Sequence, residues 1–216
     1  MAPTPRFSLL ATFAFTAGLA TSCSSPSKPQ AVDAPVRIRW ARDPESLDPF
    51  QQPNQNAVDA QGLLNGGLLA VNPQSKQYEP FLAQALPTVS LSGDSLTLLS
   101  YRLRPEASWD SGEPVTAQDV AFTLKLLFCK GVPNEGFQLQ AAFIQDVKPD
   151  ASDPKRFVLV CTGKSPDYVQ ASGDYPILRE KALDPQGSLR KYSLAEVRGR
   201  ASAPRLAELV PVQARI

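Results

Sequence analysis

The sequence predicts an α/β fold of short strands and short helices, and three observations carry that reading. Twenty-one of the 216 residues are proline, which interrupts long helices and favours strands and loops. Segments that alternate apolar and polar residues lie on both sides of one well-marked amphipathic helix. Hydrophobic residues make up 43% and charged residues 20%, the balance of a chain that buries a core rather than one that stays disordered. The length suits one large domain or two small ones.

Residues 1–22 read as an export signal. Arg6 is their only charged side chain, and an apolar run follows from Phe7 to Ala20, too short to span a bilayer comfortably. The run closes on Leu19-Ala20-Thr21-Ser22-Cys23. Small residues before a cysteine resemble the lipobox of bacterial lipoproteins, which implies cleavage before Cys23 and a lipid on its sulfur. Residues 23–35 form a tether, because Ser24 to Pro35 is Ser- and Pro-rich and cannot build a core. A lipid on such a tether holds a folded domain at a membrane surface. The expected location is the cell envelope, on the exported side.

The folded part is expected over residues 36–200. Val36 to Trp40 alternates apolar and charged residues and predicts a first strand. Asp43 to Pro49 is a turn-rich connection with two prolines. Asn56 to Leu64 predicts a short helix with Asn56 as its cap, stopped by Asn65-Gly66-Gly67, where a glycine can take positive φ. Leu68 to Val71 predicts a short strand, and Phe81 to Leu86 a helical turn or two before Pro87. Thr88 to Leu91 and Leu96 to Leu103 predict a hairpin around Ser92-Gly93-Asp94-Ser95, with Leu99, Tyr101 and Leu103 on one face and Arg102 on the other.

Thr116, with Asp119 three residues on, opens the amphipathic helix as a reciprocal cap. Ala117, Val120, Ala121, Leu124, Leu127 and Phe128 then share a face, Thr123 and Lys125 point away, and Gly131 with Pro133 ends the helix. Phe143 to Val147 and Arg156 to Cys161 predict two further strands. One weak helical stretch follows Tyr192, and residues 201–216 form an irregular tail.

Composition removes several functions. The formal net charge is +1, and without residues 1–22 the chain carries 21 basic and 21 acidic residues, so it offers no electrostatic footprint for nucleic acid. It contains no histidine, which excludes Ser-His-Asp and Cys-His catalysis and His-based zinc sites. No glycine-flanked serine nucleophile and no recognisable carboxylate pair is present, so neither an enzyme nor a metal or cofactor site is expected. Lys164-Ser165 could serve serine-lysine chemistry but reads better as an exposed loop. Trp40 and Trp109 could stack on a ligand, although core positions suit both better.

Four stretches between residues 36 and 128 carry a family resemblance. Asp43 to Pro49 looks like a "P-x-S-L-D-P" element. Leu63 to Leu69, running on to Glu79 to Ala83, is similar to a "Y-E-G-L … P-x-L-A" segment. Leu96 to Arg104 resembles a "Y-x-F-x-L-R" strand, and Trp109 to Val120 an "F-x-D-G-x-P-h-T-A-x-D-V" turn and helix. In this order they resemble the bacterial extracellular solute-binding proteins of family 5, the peptide- and nickel-type lipoproteins of ABC importers.

The resemblance implies the N-terminal portion of a two-lobed periplasmic-binding-protein-like fold of type II, truncated relative to longer family members. It implies a peptide or similar small-molecule ligand, captured without chemistry and passed to an ABC transporter permease. It implies that Asn65, Gly66 and Gly67 line the ligand cleft, at a place where the family often has an aromatic residue and a glutamate. A helix stop explains the two glycines equally well. A non-binding structural or interaction lipoprotein, or a non-functional fragment, is the alternative to a binding module, with a hydrolase ranked behind both. Cys129 and Cys161 fall near the ends of the long helix and of a strand beside it, which is compatible with a disulfide in an oxidising compartment or with two buried thiols.

Overall fold

Residues 37–51, 54–129 and 135–199 are described by the structure, a computed structural model. The chain divides into two units, Met1–Arg39 and Trp40–Ile216, and every helix and strand of the described residues belongs to the second. The signal, Cys23, the tether, Gly131, Pro133 and the tail all lie outside the described residues. The expected first strand is absent, because residues 37–40 have no regular structure. Their alternation records the chemistry of an extended segment without supplying a neighbouring strand to pair with.

In chain order the elements are helix α1 (Gln55–Leu64), strands β1 (Leu69–Val71) and β2 (Tyr78–Pro80), and the hairpin β3 (Thr88–Ser92) and β4 (Leu96–Arg102). Helices α2 (Ala117–Leu127) and α3 (Glu135–Gln140), strands β5 (Ile144–Pro149) and β6 (Arg156–Thr162) and helices α4 (Tyr168–Ala171), α5 (Glu180–Leu183) and α6 (Leu194–Gly199) follow, with a 3₁₀ turn at Ser188–Lys191. Strands β1 and β2 make a two-stranded ribbon. The other four form an antiparallel sheet in the order β3-β4-β6-β5.

The inner face of that sheet is the core. Leu99 lies opposite Leu159 and Tyr101 opposite Phe157, all buried, and the rings of Tyr101 and Phe157 stack at 5.4 Å between centroids. Ile144 and Val147 would face opposite ways in a regular strand, but the register shifts between Ile144 and Asp146. This bulge lets β5 turn both side chains inward.

Helix α2 lies against the sheet and is buried on nearly every side. Phe122, Thr123 and Leu126 are as inaccessible as the predicted inner face. The expectation that Thr123 and Lys125 point to solvent is therefore corrected. Residues 172–199 wrap the outer side of the helix and give both side chains partners. The Thr123 hydroxyl donates to the Asp119 carbonyl at 2.7 Å and accepts the Leu178 N–H at 2.9 Å. Lys125 Nζ donates to the Leu189 carbonyl at 3.3 Å.

Three further expectations change. The cap of α1 is Asn54, whose side chain accepts the Ala57 N–H at 2.8 Å, and Asn56 lies within the first turn. Residues 81–86 are a series of bends around a single bridge, not a helix: Phe81 and Ala83 both donate to the Leu68 carbonyl, and Ala83 bridges Leu103 just after β4. Cys129 and Cys161 are both buried and both free, so the disulfide is not formed. Cys129 Sγ is held 3.5 Å from the Lys125 carbonyl within its own helix end, whereas Cys161 faces the core near Tyr101 and Tyr175.

Candidate functional site

A cavity of about 460 Å³ opens beside the C-terminal end of α1. Its lining comes from Gln61, Gly62 and Asn65 to Gly67, from β1 and Phe81, and from Phe137 and Gln140 of α3 with Asp174 to Pro176. Asn65, Gly66 and Gly67, the three residues nominated from sequence, all line it.

The chain passes from α1 into this wall as a narrow extended strip. Ile177 N–H donates to the Gly66 carbonyl at 2.9 Å, Leu82 N–H to Gly67 at 3.2 Å, and Leu69 N–H to Gly173 at 3.0 Å. The strip is therefore clamped between residues 81–83 and 173–177. This clamping, not positive φ, explains the glycines, since neither Gly66 nor Gly67 has left-handed backbone. A Cβ at Gly66 would stand 2.4 Å from the Phe81 ring, and one at Gly67 would stand 2.5 Å from the Gly173 carbonyl oxygen. The expected αL helix stop is corrected accordingly: α1 ends at Asn65 in extended conformation, with the Asn65 N–H and side-chain amide both donating to the Gln61 carbonyl.

Gln61 anchors the floor. It is 5% exposed, and its Nε2 donates to the carbonyls of Ser46, Asp48 and Gln51 at 3.2, 2.8 and 2.6 Å. One side chain thus ties the turn-rich segment 43–51 to α1. Its Oε1 is buried and has no hydrogen-bond partner among the described residues. Opposite, the Tyr78 hydroxyl donates to Asp174 Oδ2 at 3.0 Å. Burial pushes the Asp174 carboxyl above the ordinary carboxylate range, partly offset by that hydrogen bond, and it pushes the Tyr78 phenol up as well. Sequence reasoning missed Gln61, Phe81, Gln140 and Asp174. The first lacks any pattern that separates a buried amide from an exposed one, and the others come from segments that only the fold brings near residue 66.

A second hollow of about 290 Å³ lies between Trp109, Glu113 and α5. Its charges are spent on one another: Glu113 pairs with Arg179 and Lys181, and the buried Glu180 takes both ends of the Arg190 fork at 2.8 and 2.6 Å. Trp109 is half-buried against the core. Lys164 is exposed and the Ser165 hydroxyl donates to Asp167 at 3.4 Å. Among the described residues no group of three or more acidic or cysteine side chains is arranged to hold a metal ion, and no helix is long and apolar enough to cross a membrane.

No family model matches the sequence. Among curated proteins, the chain is 34% identical over 122 residues to Protein XP55 of Streptomyces lividans, covering 54% of this chain and 21% of that protein. It is 29% identical over 109 residues to the peptidoglycan-binding protein YepA of Agrobacterium fabrum, covering 50% and 17%. Among solved structures, the peptide-binding pheromone receptor PrgZ shares the fold with a TM-score of 0.57 at 20% identity, over 69% of this chain and 32% of that one. The Escherichia coli murein tripeptide binding protein MppA gives 0.54 at 19% identity over 69% and 31%, and Listeria monocytogenes OppA bound to peptide gives 0.53 at 18% over 72% and 32%. The chain spans about a fifth of the curated relatives and about a third of the solved ones. The resemblance read from the four sequence motifs is thereby borne out at the level of the fold. The described residues have the architecture of part of a type II periplasmic binding protein, and the solved structures that share it are binding proteins.

Proposed function

We propose that this chain serves as a substrate-binding lipoprotein of an ABC importer, exported to the cell envelope, anchored through lipid on Cys23, and binding peptides or similar small solutes without catalysis. The observation that carries the reading is the cavity beside Asn65, Gly66 and Gly67, built where the resemblance puts the ligand cleft. Its mixed lining of aromatic, amide and backbone groups suits a ligand held by burial and a few hydrogen bonds. In this mechanism one wall of a cleft is supplied here, an opposing lobe closes on the ligand, and the closed form docks on the permease. Support for a peptide ligand comes from the solved relatives, three of which are described as binding peptides or a murein tripeptide.

Equilibrium dialysis of the lipid-free protein against a mixed peptide pool, read by mass spectrometry, tests the binding. Retention of a defined subset of peptides is expected, and a pool recovered unchanged refutes the reading. Mass spectrometry of the mature N-terminus from a bacterial host should find diacylglyceryl-Cys23, and a free N-terminus at another residue refutes the anchor. A second reading, an interaction lipoprotein that binds the cell wall itself, is favoured by the name of the Agrobacterium relative. Co-sedimentation with purified sacculi, uncompeted by free peptides, would select it.

A further inference from the structure

The two edges of the four-stranded sheet are finished differently. At one edge β5 carries the bulge between Ile144 and Asp146, the charges of Asp146 and Lys148, and Pro149. Arg198 holds the carbonyls of Ala142 and Ile144 at 2.7 and 2.5 Å, and α2 and α6 pack against the strand. Bulges, charges, proline and covering helices keep an edge strand from pairing with another chain. At the other edge β3 has none of these. It pairs with β4 in unbroken register, and all five of its residues are exposed. Pro87 precedes the strand and leaves its N–H groups intact, and no charged residue occurs from 80 to 93. Beyond its pairing with β4, the main chain of Thr88–Ser92 makes no hydrogen bond to the described residues.

The exposed side chains of β3 belong to the core face of the sheet. Val89 lies opposite Leu99 and Leu91 opposite Thr97, both of which are buried, yet Val89 and Leu91 remain 52% and 59% exposed. The strand also matches itself. In an antiparallel pair about a two-fold axis at Ser90, Thr88 meets Ser92 of the second copy, Val89 meets its Leu91, and Ser90 meets its Ser90. Apolar side chains then oppose apolar ones on the core side, and hydroxyls oppose hydroxyls on the other. No like charges are brought together, because Asp94 falls beyond the end of the paired strand.

We propose that β3 is a homodimer interface, in which two copies of Thr88–Ser92 pair antiparallel about Ser90 and join their sheets into one. The guarded β5 edge closes the assembly at two copies, where a second open edge would extend it into a filament. A standard interface draws on about 20–30 residues a side, and β3 supplies five. The dimer is therefore weak, dissociating at about 10–100 μM. It forms whether or not the chain binds a solute.

Sedimentation equilibrium of the lipid-free chain between about 1 μM and 1 mM tests the pairing. The average mass should rise from one chain toward two, and outward-facing amides of Thr88–Ser92 should exchange with solvent more slowly as the concentration rises. Val89→Lys and Leu91→Glu alter exposed side chains, and each should weaken association about tenfold or more. Mixed in equal amounts, the two variants should associate again, because the new lysine and the new glutamate meet across the axis. Circular dichroism of each variant checks that it folds, and the parent's own mass and exchange decide the matter if one does not. A parent that stays monomeric across the range, a mass that climbs past two copies, folded variants that dimerise like the parent, or a mixture of them no more associated than its components overturns the proposal. So does slow exchange of the same amides in a monomer, which would make another segment of the chain the occupant of the edge.

Discussion

Replacing Asp119 with alanine should be among the most damaging single changes in the described chain. The carboxylate is 6% exposed and serves two helices at once. Its Oδ2 accepts the Thr116 N–H at 2.8 Å and the Thr116 hydroxyl at 2.9 Å at the start of α2, and its Oδ1 accepts the Glu180 N–H at 3.0 Å at the start of α5. Loss of an N-terminal cap costs about 1 kcal/mol. Leaving the buried Glu180 N–H without an acceptor costs about 1–3 kcal/mol more. Asp119→Ala should therefore lower stability by about 3 kcal/mol, a large share of the ~5–15 kcal/mol typical of a domain. Thr116→Ala removes only a hydroxyl that donates to the same carboxylate and should cost under about 1 kcal/mol. Urea denaturation of the two variants beside the parent measures both values, provided the slopes agree. An Asp119→Ala protein no less stable than Thr116→Ala would refute the double-cap account. So would a Glu180 amide that exchanges with solvent no faster in the variant than in the parent.

Gly67→Ala should destabilise by about 1–3 kcal/mol and weaken ligand retention, because its Cβ would stand 2.5 Å from a backbone oxygen that cannot rotate away; thermal melting and dialysis read the two effects. Tyr101→Phe should cost about 1–2 kcal/mol, since it strips the buried 2.7 Å contact from Ser172, and denaturation checks it. In a Cys23→Ser protein, Cys129 and Cys161 should be inert to a thiol reagent at pH 8 and both react on unfolding, because burial pushes each thiol up to about 12. The native thiols keep protons that the unfolded ones release near pH 9, so their contribution to stability is full below pH 9 and falls as the pH rises toward 12. Rapid labelling of the native protein would refute this placement.

Local signals were legible wherever the deciding physics was local. The hairpin of β3 and β4 follows from period-two alternation around a Gly-Asp turn, and α2 starts where Thr116 and Asp119 can cap it. The strands β5 and β6 were legible to within a residue or two. The strand expected at residues 36–40 failed because alternation describes faces and says nothing about whether a neighbour exists. Thr123 failed because an amphipathic pattern cannot tell solvent from a second layer that supplies hydrogen bonds.

The candidate site divides the same way. Sequence alone determined that the Asn65-Gly66-Gly67 break ends a helix, that the chain carries no histidine, and that its four motifs occur in one order. Tertiary structure decided why the glycines are there and what faces them. Gly67 meets Gly173, Tyr78 meets Asp174, and Gln140 meets the carbonyls of Ala171 and Asp174, contacts that join segments 31 to 106 residues apart. Close approach, desolvation and the direction of an amide depend on what packs opposite, and no residue carries that information in its own neighbourhood along the chain.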